Sequence, residues 1–197
     1  MSENKLRIAV IVGSTRQGRF SEKPAAWMFE QVKALPGVEA ELLDLRDHAL
    51  PFYDEPITPS TFKGNYPNEA VARWSERIKA ADAFVIVTPE YNHGYPAVLK
   101  NALDYVYDEW HRKPVGFMSY GGVSGARVIE QLRLVSIELH MAPIREAVHI
   151  PPPVTTAIKK DGVPPAEALK AVKEKTDLFL ADLLWWTKAL KEARAAK

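Results

Sequence analysis

The sequence predicts an open, doubly wound parallel α/β sheet of five strands in the order 2-1-3-4-5, with helices on both faces. Three observations predict it. Short β-rich apolar runs alternate with amphipathic helical stretches along the chain. The runs are nearly unbroken, as strands buried on both faces require. Five strands in 197 residues suit this order better than the six-stranded dinucleotide fold.

Leu6–Val12 is the first strand and Ser21–Leu35 the first helix, closed by Pro36-Gly37. Val38–Leu45 alternates as a second strand. Residues 46–66 carry Pro51, Pro56 and Pro59 and read as an irregular loop. Pro67–Ala81 is a second helix, with proline tolerable in its first turn. Ala83–Thr88 is the third strand, Pro89–Tyr95 a loop and Pro96–Tyr107 the third helix. Pro114–Ser119 is the fourth strand, Tyr120–Val123 a glycine loop, and Ser124–His140 a helix that Ser124 is placed to cap. Ile144–Ile150 is the fifth strand, and Pro164–Ala193 supplies a last helix with room for an interruption. Trp185-Trp186 on it reads mainly as core packing, with one ring available to a second subunit.

One domain covering residues 1–197 is expected from this length. A net charge of +1 gives no general attraction for nucleic acid or an anionic membrane surface. No apolar run approaches the roughly 20 residues of a spanning helix. Met1–Lys5 leads to the first strand without a signal-peptide pattern, and a cytoplasmic location is expected. The chain has no cysteine, which excludes disulfides, thiolate nucleophiles and cysteine-held iron–sulfur clusters. Its five histidines lack metal-ligand spacing, so no metal site is expected. Redox chemistry would have to reside in a bound organic cofactor.

The first loop is the most informative segment. Gly13-Ser14-Thr15-Arg16-Gln17-Gly18-Arg19-Phe20-Ser21 joins a buried strand to a helix N-terminus, where free N–H groups and the helix dipole favour an anion. Ser14, Thr15 and Ser21 add hydroxyls, and Arg16 and Arg19 add forked cationic donors. The loop lacks both G-x-x-x-x-G-K-[ST] and G-x-G-x-x-G, so a compact terminal monophosphate suits it better than a nucleotide pyrophosphate. In a sheet of this order, ligands sit beyond the strand carboxyl ends at the switch point between strands one and three. The loops after strands one, three and four all open there.

With the second and third loops, the chain resembles the NAD(P)H-dependent FMN reductase family, flavodoxin-like proteins that include quinone, azo-dye and chromate reductases. The motifs are Gly13-Ser14-Thr15-Arg16 with Arg19-Phe20-Ser21, Pro89-Glu90-Tyr91-Asn92, and the helix Pro96-Ala97-Val98-Leu99-Lys100-Asn101-Ala102-Leu103-Asp104. Leu50–Asp54 and Gly121-Gly122 extend the likeness over about residues 6–150. The resemblance implies bound FMN, NADPH or NADH as co-substrate, a small-molecule acceptor, and a homodimer or dimer of dimers with Leu50–Pro56 near the site and the dimer edge. It implies no catalytic side chain, because flavin N5 carries the hydride.

The expected cofactor-binding residues are Ser14, Thr15, Arg16, Arg19, Phe20 and Ser21, then Pro89, Glu90, Tyr91, Asn92 and Gly94, then Ser119, Gly121 and Gly122. Pro89 and Gly94 shape a loop whose backbone can approach a ring, Asn92 can donate and accept, and Tyr91 and Tyr95 can wall a slot. Gly121-Gly122 brings main chain to the ring's polar edge. His93 departs from the family pattern, which favours a small residue after P-E-Y-N, and reads as a loop histidine. Two alternatives stand beside this reading. One is a non-enzymatic flavodoxin-type electron carrier, although such carriers tend to be acidic. The other is a serine hydrolase, because Gly122–Ala126 approaches G-x-S-x-G with Glu138 and His149 downstream.

Overall fold

The computed structural model describes residues 5–196. Met1–Asn4, read above as the lead into the first strand, and Lys197 lie outside them. The strands are β1 (Leu6–Val12), β2 (Val38–Asp44), β3 (Ala83–Pro89), β4 (Pro114–Tyr120) and β5 (Ala142–Ile150). They form one sheet in the order β2-β1-β3-β4-β5, every pairing parallel. This is the flavodoxin-like order the sequence predicts.

Period-two alternation sorts the strand side chains into two cores. Ile8, Val10, Val12, Val85 and Val87 point to the face covered by α1 (Glu22–Lys33), α6 (Pro152–Lys159) and α8 (Lys173–Ala195). Ala9, Ile11, Phe84, Ile86 and Phe117 point to the other, under α3 (Glu69–Ala80), α4 (Ala97–Asp104) and α5 (Ala126–Glu138). The second core is aromatic. Trp110 packs edge-on to Phe84 with centroids 4.8 Å apart, and Trp74 donates its indole N–H to the Ala102 carbonyl at 2.8 Å. At Gly116 a Cβ would fall on the Phe179 ring, so this glycine lets α8 lie directly on β4 where the β4–β5 register shifts.

The irregular loop after β2 holds one turn of helix, α2 (Pro59–Phe62). The segment after β5 departs more from expectation. Pro152-Pro153 starts α6, because proline is compatible with a first helical turn, and then come α7 (Pro165–Ala168) and a 3₁₀ turn, Leu169–Val172, before α8. The tryptophan pair is a correction. Trp185 is 63% and Trp186 37% exposed, because Phe179, Leu180, Leu183 and Thr187 form the buried stripe of α8 and leave positions 185 and 186 outside it. No helix among the described residues is long and apolar enough to cross a membrane.

Candidate functional site

The loops after β1, β3 and β4 meet at the carboxyl edge of the sheet. The Gly13 N–H donates to the Val87 carbonyl at 2.9 Å, and a Cβ there would press on Leu99, Val87 O and Thr88 within 3.1–3.3 Å. This close approach turns the chain from β1 across the end of β3. Beyond it, the backbone N–H groups of Thr15, Gln17, Gly18, Phe20 and Ser21 donate to no described residue. These unpaired donors precede α1 and make the loop a candidate anion cradle. The Arg16 guanidinium lies 5.9 Å from the centre of the Tyr91 ring, exposed beside that cradle.

Arg19 takes another position. Its side chain is 2% exposed and grips the Asp44 carboxylate with both terminal nitrogens. It also donates to the Ser14 carbonyl at 2.5 Å and, through Nε, to Glu22 at 2.9 Å. Arg19 therefore holds the loop from beneath and has few donors left for a ligand. Burial alone would raise the Asp44 carboxyl, but hydrogen bonds from Arg19 and the Arg46 N–H, with Arg19's charge, hold it below the ordinary value of 3.8. Arg46, just past β2, donates to the carbonyls of Thr15 (3.3 Å) and Arg16 (2.8 Å) and to Glu22 (2.9 Å).

Two tyrosine–serine rungs link the first loop to its neighbours. Ser14 Oγ shares a 2.9 Å hydrogen bond with the Tyr91 hydroxyl, and Ser21 Oγ one of 2.7 Å with the Tyr120 hydroxyl. Burial is the main reason that the Tyr120 phenol is pushed up to about 12. Phe20 is buried edge-on to Tyr120 at 4.8 Å, beneath the Lys159 ammonium of α6, 4.8 Å from its ring centre.

After β3 the Glu90 N–H donates to the Tyr120 carbonyl at 2.9 Å. Tyr91 and Gly94 exchange two backbone hydrogen bonds of 2.9 Å, and Asn92 and His93 between them have φ of 48° and 71°. That is a two-residue hairpin turn with both central residues left-handed. Arg127 of α5 braces it by donating to the nearly buried Glu90 carboxylate from its backbone N–H (3.1 Å), Nε (2.6 Å) and Nη2. Burial would raise that carboxyl, and the arginine holds it low.

In the third loop, Ser119 is buried and donates to the Ser124 carbonyl at 2.9 Å. Gly121 is pressed against Glu90, where a Cβ would lie 3.0 Å from Glu90 Cβ, while above Gly122 there is open space to 4 Å. The expectation that Ser124 caps the next helix is corrected. Ser124 sits at φ 58°, and Gly125, at φ 72°, is the capping position. The glycine is needed there because a Cβ would meet Ser119 Cβ at 2.6 Å. His149 Nδ1 lies 3.3 Å from the Ser124 carbonyl oxygen and 3.4 Å from Ser119 Oγ, so its described partners do not include the Ser124 hydroxyl that a nucleophile elbow would use.

The structure thus brings Ser14, Thr15, Arg16, Phe20 and Ser21 together with Pro89–Gly94, Ser119, Gly121 and Gly122 on one edge. A phosphomonoester fits the unpaired N–H groups beside Arg16, and a flat ring fits the open side of Gly122. Glu90 and Ser119 spend their side chains on Arg127 and Ser124 and support loop shape. Sequence reasoning missed Asp44, Arg46, Tyr120, Arg127 and Lys159. Only Arg127 left a signal: a cation in the first turn of a helix opposes the dipole and needs a partner nearby.

Comparison with known proteins agrees with this architecture. The family model described as NADPH-dependent FMN reductase matches residues 6–152. An NAD(P)H-dependent FMN reductase of Schizosaccharomyces pombe is 41% identical over 147 residues, covering 74% of each chain. A quinone reductase of Pseudomonas putida is 30% identical over 150 residues, 71% of this chain and 75% of the other. Among solved structures, a flavoenzyme NAD(P)H:acceptor oxidoreductase from Paracoccus denitrificans superposes with a TM-score of 0.69 at 25% identity, over 93% of this chain and 98% of that one.

Proposed function

The chain belongs to the NADPH-dependent FMN reductase family, and on that footing we propose that its three-loop edge is one flavin slot used in turn by NAD(P)H and a small oxidant. The family consists of oxidoreductases that use FMN with NADPH or NADH as reductant, and the electron-carrier alternative yields to it. When bound, FMN would supply the redox chemistry, with N5 as its hydride-accepting atom. The chain's own residues do the positioning. The N–H groups of Thr15, Gln17, Gly18, Phe20 and Ser21 and the Arg16 guanidinium would hold its phosphate, Gly121-Gly122 would admit the ring's polar edge, and the Tyr91–Gly94 hairpin would close one side. No side chain is assigned as acid or base.

The observation that carries this reading is the row of unpaired loop N–H groups beside Arg16 at the switch point. The decisive experiment is the visible spectrum of the purified protein, with mass identification of what heat releases, followed by FMN and riboflavin titrations. FMN is expected to bind well and riboflavin poorly. Equal affinities would remove the phosphate from the first loop.

The acceptor belongs to the proposal: a quinone, azo compound, metal oxyanion or free flavin. The quinone is favoured by the name of the Pseudomonas putida relative. Use of one slot in turn is expected to give parallel initial-rate lines against NAD(P)H and quinone. Intersecting lines with a directly detected ternary complex would refute it. A homodimer completes the reading, supported by the exposed Phe52 (81%) and Ile57 (44%) in the loop beside Tyr53 and α4. Sedimentation at micromolar concentration showing only the 22.1 kDa monomer would count against it. A single domain and a cytoplasmic location, both expected from the sequence, belong to the same proposal.

A further inference from the structure

His93, in the hairpin turn, meets a cation of α5. Arg127 Nη1 lies 2.7 Å from His93 Nε2, and Gln131, one turn further along α5, donates Nε2 to the His93 carbonyl at 2.8 Å. A guanidinium has donors only, so the imidazole nitrogen it meets must be an unprotonated acceptor. That requires a neutral ring with its proton on Nδ1. Among the described residues, the charged side chain hydrogen-bonded to this ring is Arg127, itself paired with Glu90; Gln131 is neutral. Both side-chain clamps on the turn therefore reach residue 93 from the same helix. They hold a non-glycine residue at φ 71°, next to Asn92 at 48°, in a conformation that unconstrained side chains rarely adopt.

We propose that His93 is a proton-sensitive positioning residue: neutral, it latches the Tyr91–Gly94 hairpin to α5 through Arg127; protonated, it releases the latch and loosens the flavin slot. A proton on Nε2 would set N–H against N–H and cation against cation, removing the bond. Glu90 stays paired with Arg127 in either state, so the fold survives and only the turn relaxes. The consequence for cofactor affinity rests on the flavin-slot reading above, whereas the tautomer does not.

Two measurements test it. In the flavin-free protein labelled with ¹⁵N-histidine, the His93 signal, identified by its loss in His93→Gln, is expected to show a bare Nε2 and a protonated Nδ1 at pH 8. The dissociation constant of FMN, read by flavin fluorescence, is expected to rise from pH 8 to 5.5 about tenfold more than titration of the FMN phosphate alone would cause, the size of one lost charge-assisted hydrogen bond. In His93→Gln, whose amide oxygen accepts at every pH, only the part of the rise due to the FMN phosphate is expected to remain, a pH ratio about tenfold smaller than in wild type. His93→Asn, suited to left-handed backbone, serves if the glutamine variant fails to fold. A proton on Nε2 at pH 8, or equal pH ratios in wild type and variant, overturns the latch. FMN binding at no pH would refute the slot instead, leaving the tautomer to decide the latch.

Discussion

Asp44→Ala is expected to lower the unfolding free energy by about 3–5 kcal/mol, because it strands the Arg19 guanidinium beneath the first loop with Glu22 as its one remaining ionic partner. At this chain length that corresponds to a fall in melting temperature of roughly 6–20 °C, to be read from thermal and urea unfolding. Arg16→Ala is the contrasting case. Its side chain is exposed, so stability is expected to hold within about 0.5 kcal/mol. FMN affinity is expected to fall ten- to a hundredfold, about the loss of one charge-assisted hydrogen bond or a bidentate pair. Those two outcomes would separate two arginines three residues apart into a ligand and a strut. Asp44→Ala melting like the wild type would return Arg19 to the ligand side.

The same ion pair sets an acid limit. The folded Asp44 carboxyl titrates below its ordinary value of 3.8, so the stability it contributes is fully present above that value. It is lost as pH falls below 3.8 toward the depressed folded value. Asp44→Asn, which keeps the shape and removes the titration, is expected to start less stable and to lose less between pH 5 and 3. Glu90, held low by Arg127, adds a second loss of the same sign that Asp44→Asn leaves in place.

What could be read from the sequence, and what could not, follows from the range of each interaction. The five strands were legible because β1 and β3 are apolar on both faces, and only a covered parallel sheet buries such runs. The first loop, the candidate phosphate site, stood out because strand, glycine, hydroxyl and helix signals lie within nine residues, Gly13–Ser21. The fate of Arg19 was not, because its partner Asp44 is 25 positions away and no spacing rule joins them. Arg127, 37 positions from Glu90, was hidden in the same way. Helix α6 lies in the stretch between Ile150 and Pro164 to which the sequence reading assigned no element; in the structure Pro151 is its cap and Pro152 and Pro153 occupy its first turn. Residues chosen for their chemistry lie together at the carboxyl edge of the sheet. Which of them face outward was decided by pairings that only tertiary structure supplies.

The third loop gives the sharpest separation of stability from binding, because Gly122 and Gly125 differ in surroundings while lying three residues apart. At Gly125 a methyl group would lie 2.7 Å from Ser119 Oγ and 2.9 Å from the Tyr120 backbone nitrogen. The position also needs φ of 72°, which costs an alanine about 1–2 kcal/mol before any clash is counted. Backbone cannot yield as a flexible side chain can, so overpacking adds about 1–3 kcal/mol. Gly125→Ala is therefore expected to destabilise by about 2–5 kcal/mol, from those two costs together. It would also break the bond from Ser119 Oγ to the Ser124 carbonyl that folds the turn back on β4. Above Gly122 there is nothing within 4 Å. Gly122→Ala is accordingly expected to leave the melting temperature nearly unchanged, a shift of about 0.5 kcal/mol or less. If the flavin's polar edge lies against this backbone, the added methyl must displace it, and FMN is expected to bind at least tenfold more weakly. Calorimetry with and without FMN reads both effects in one experiment. A Gly122→Ala protein that bound FMN as the wild type does would put the ring elsewhere, while a stable Gly125→Ala protein would mean the turn does not need its left-handed cap.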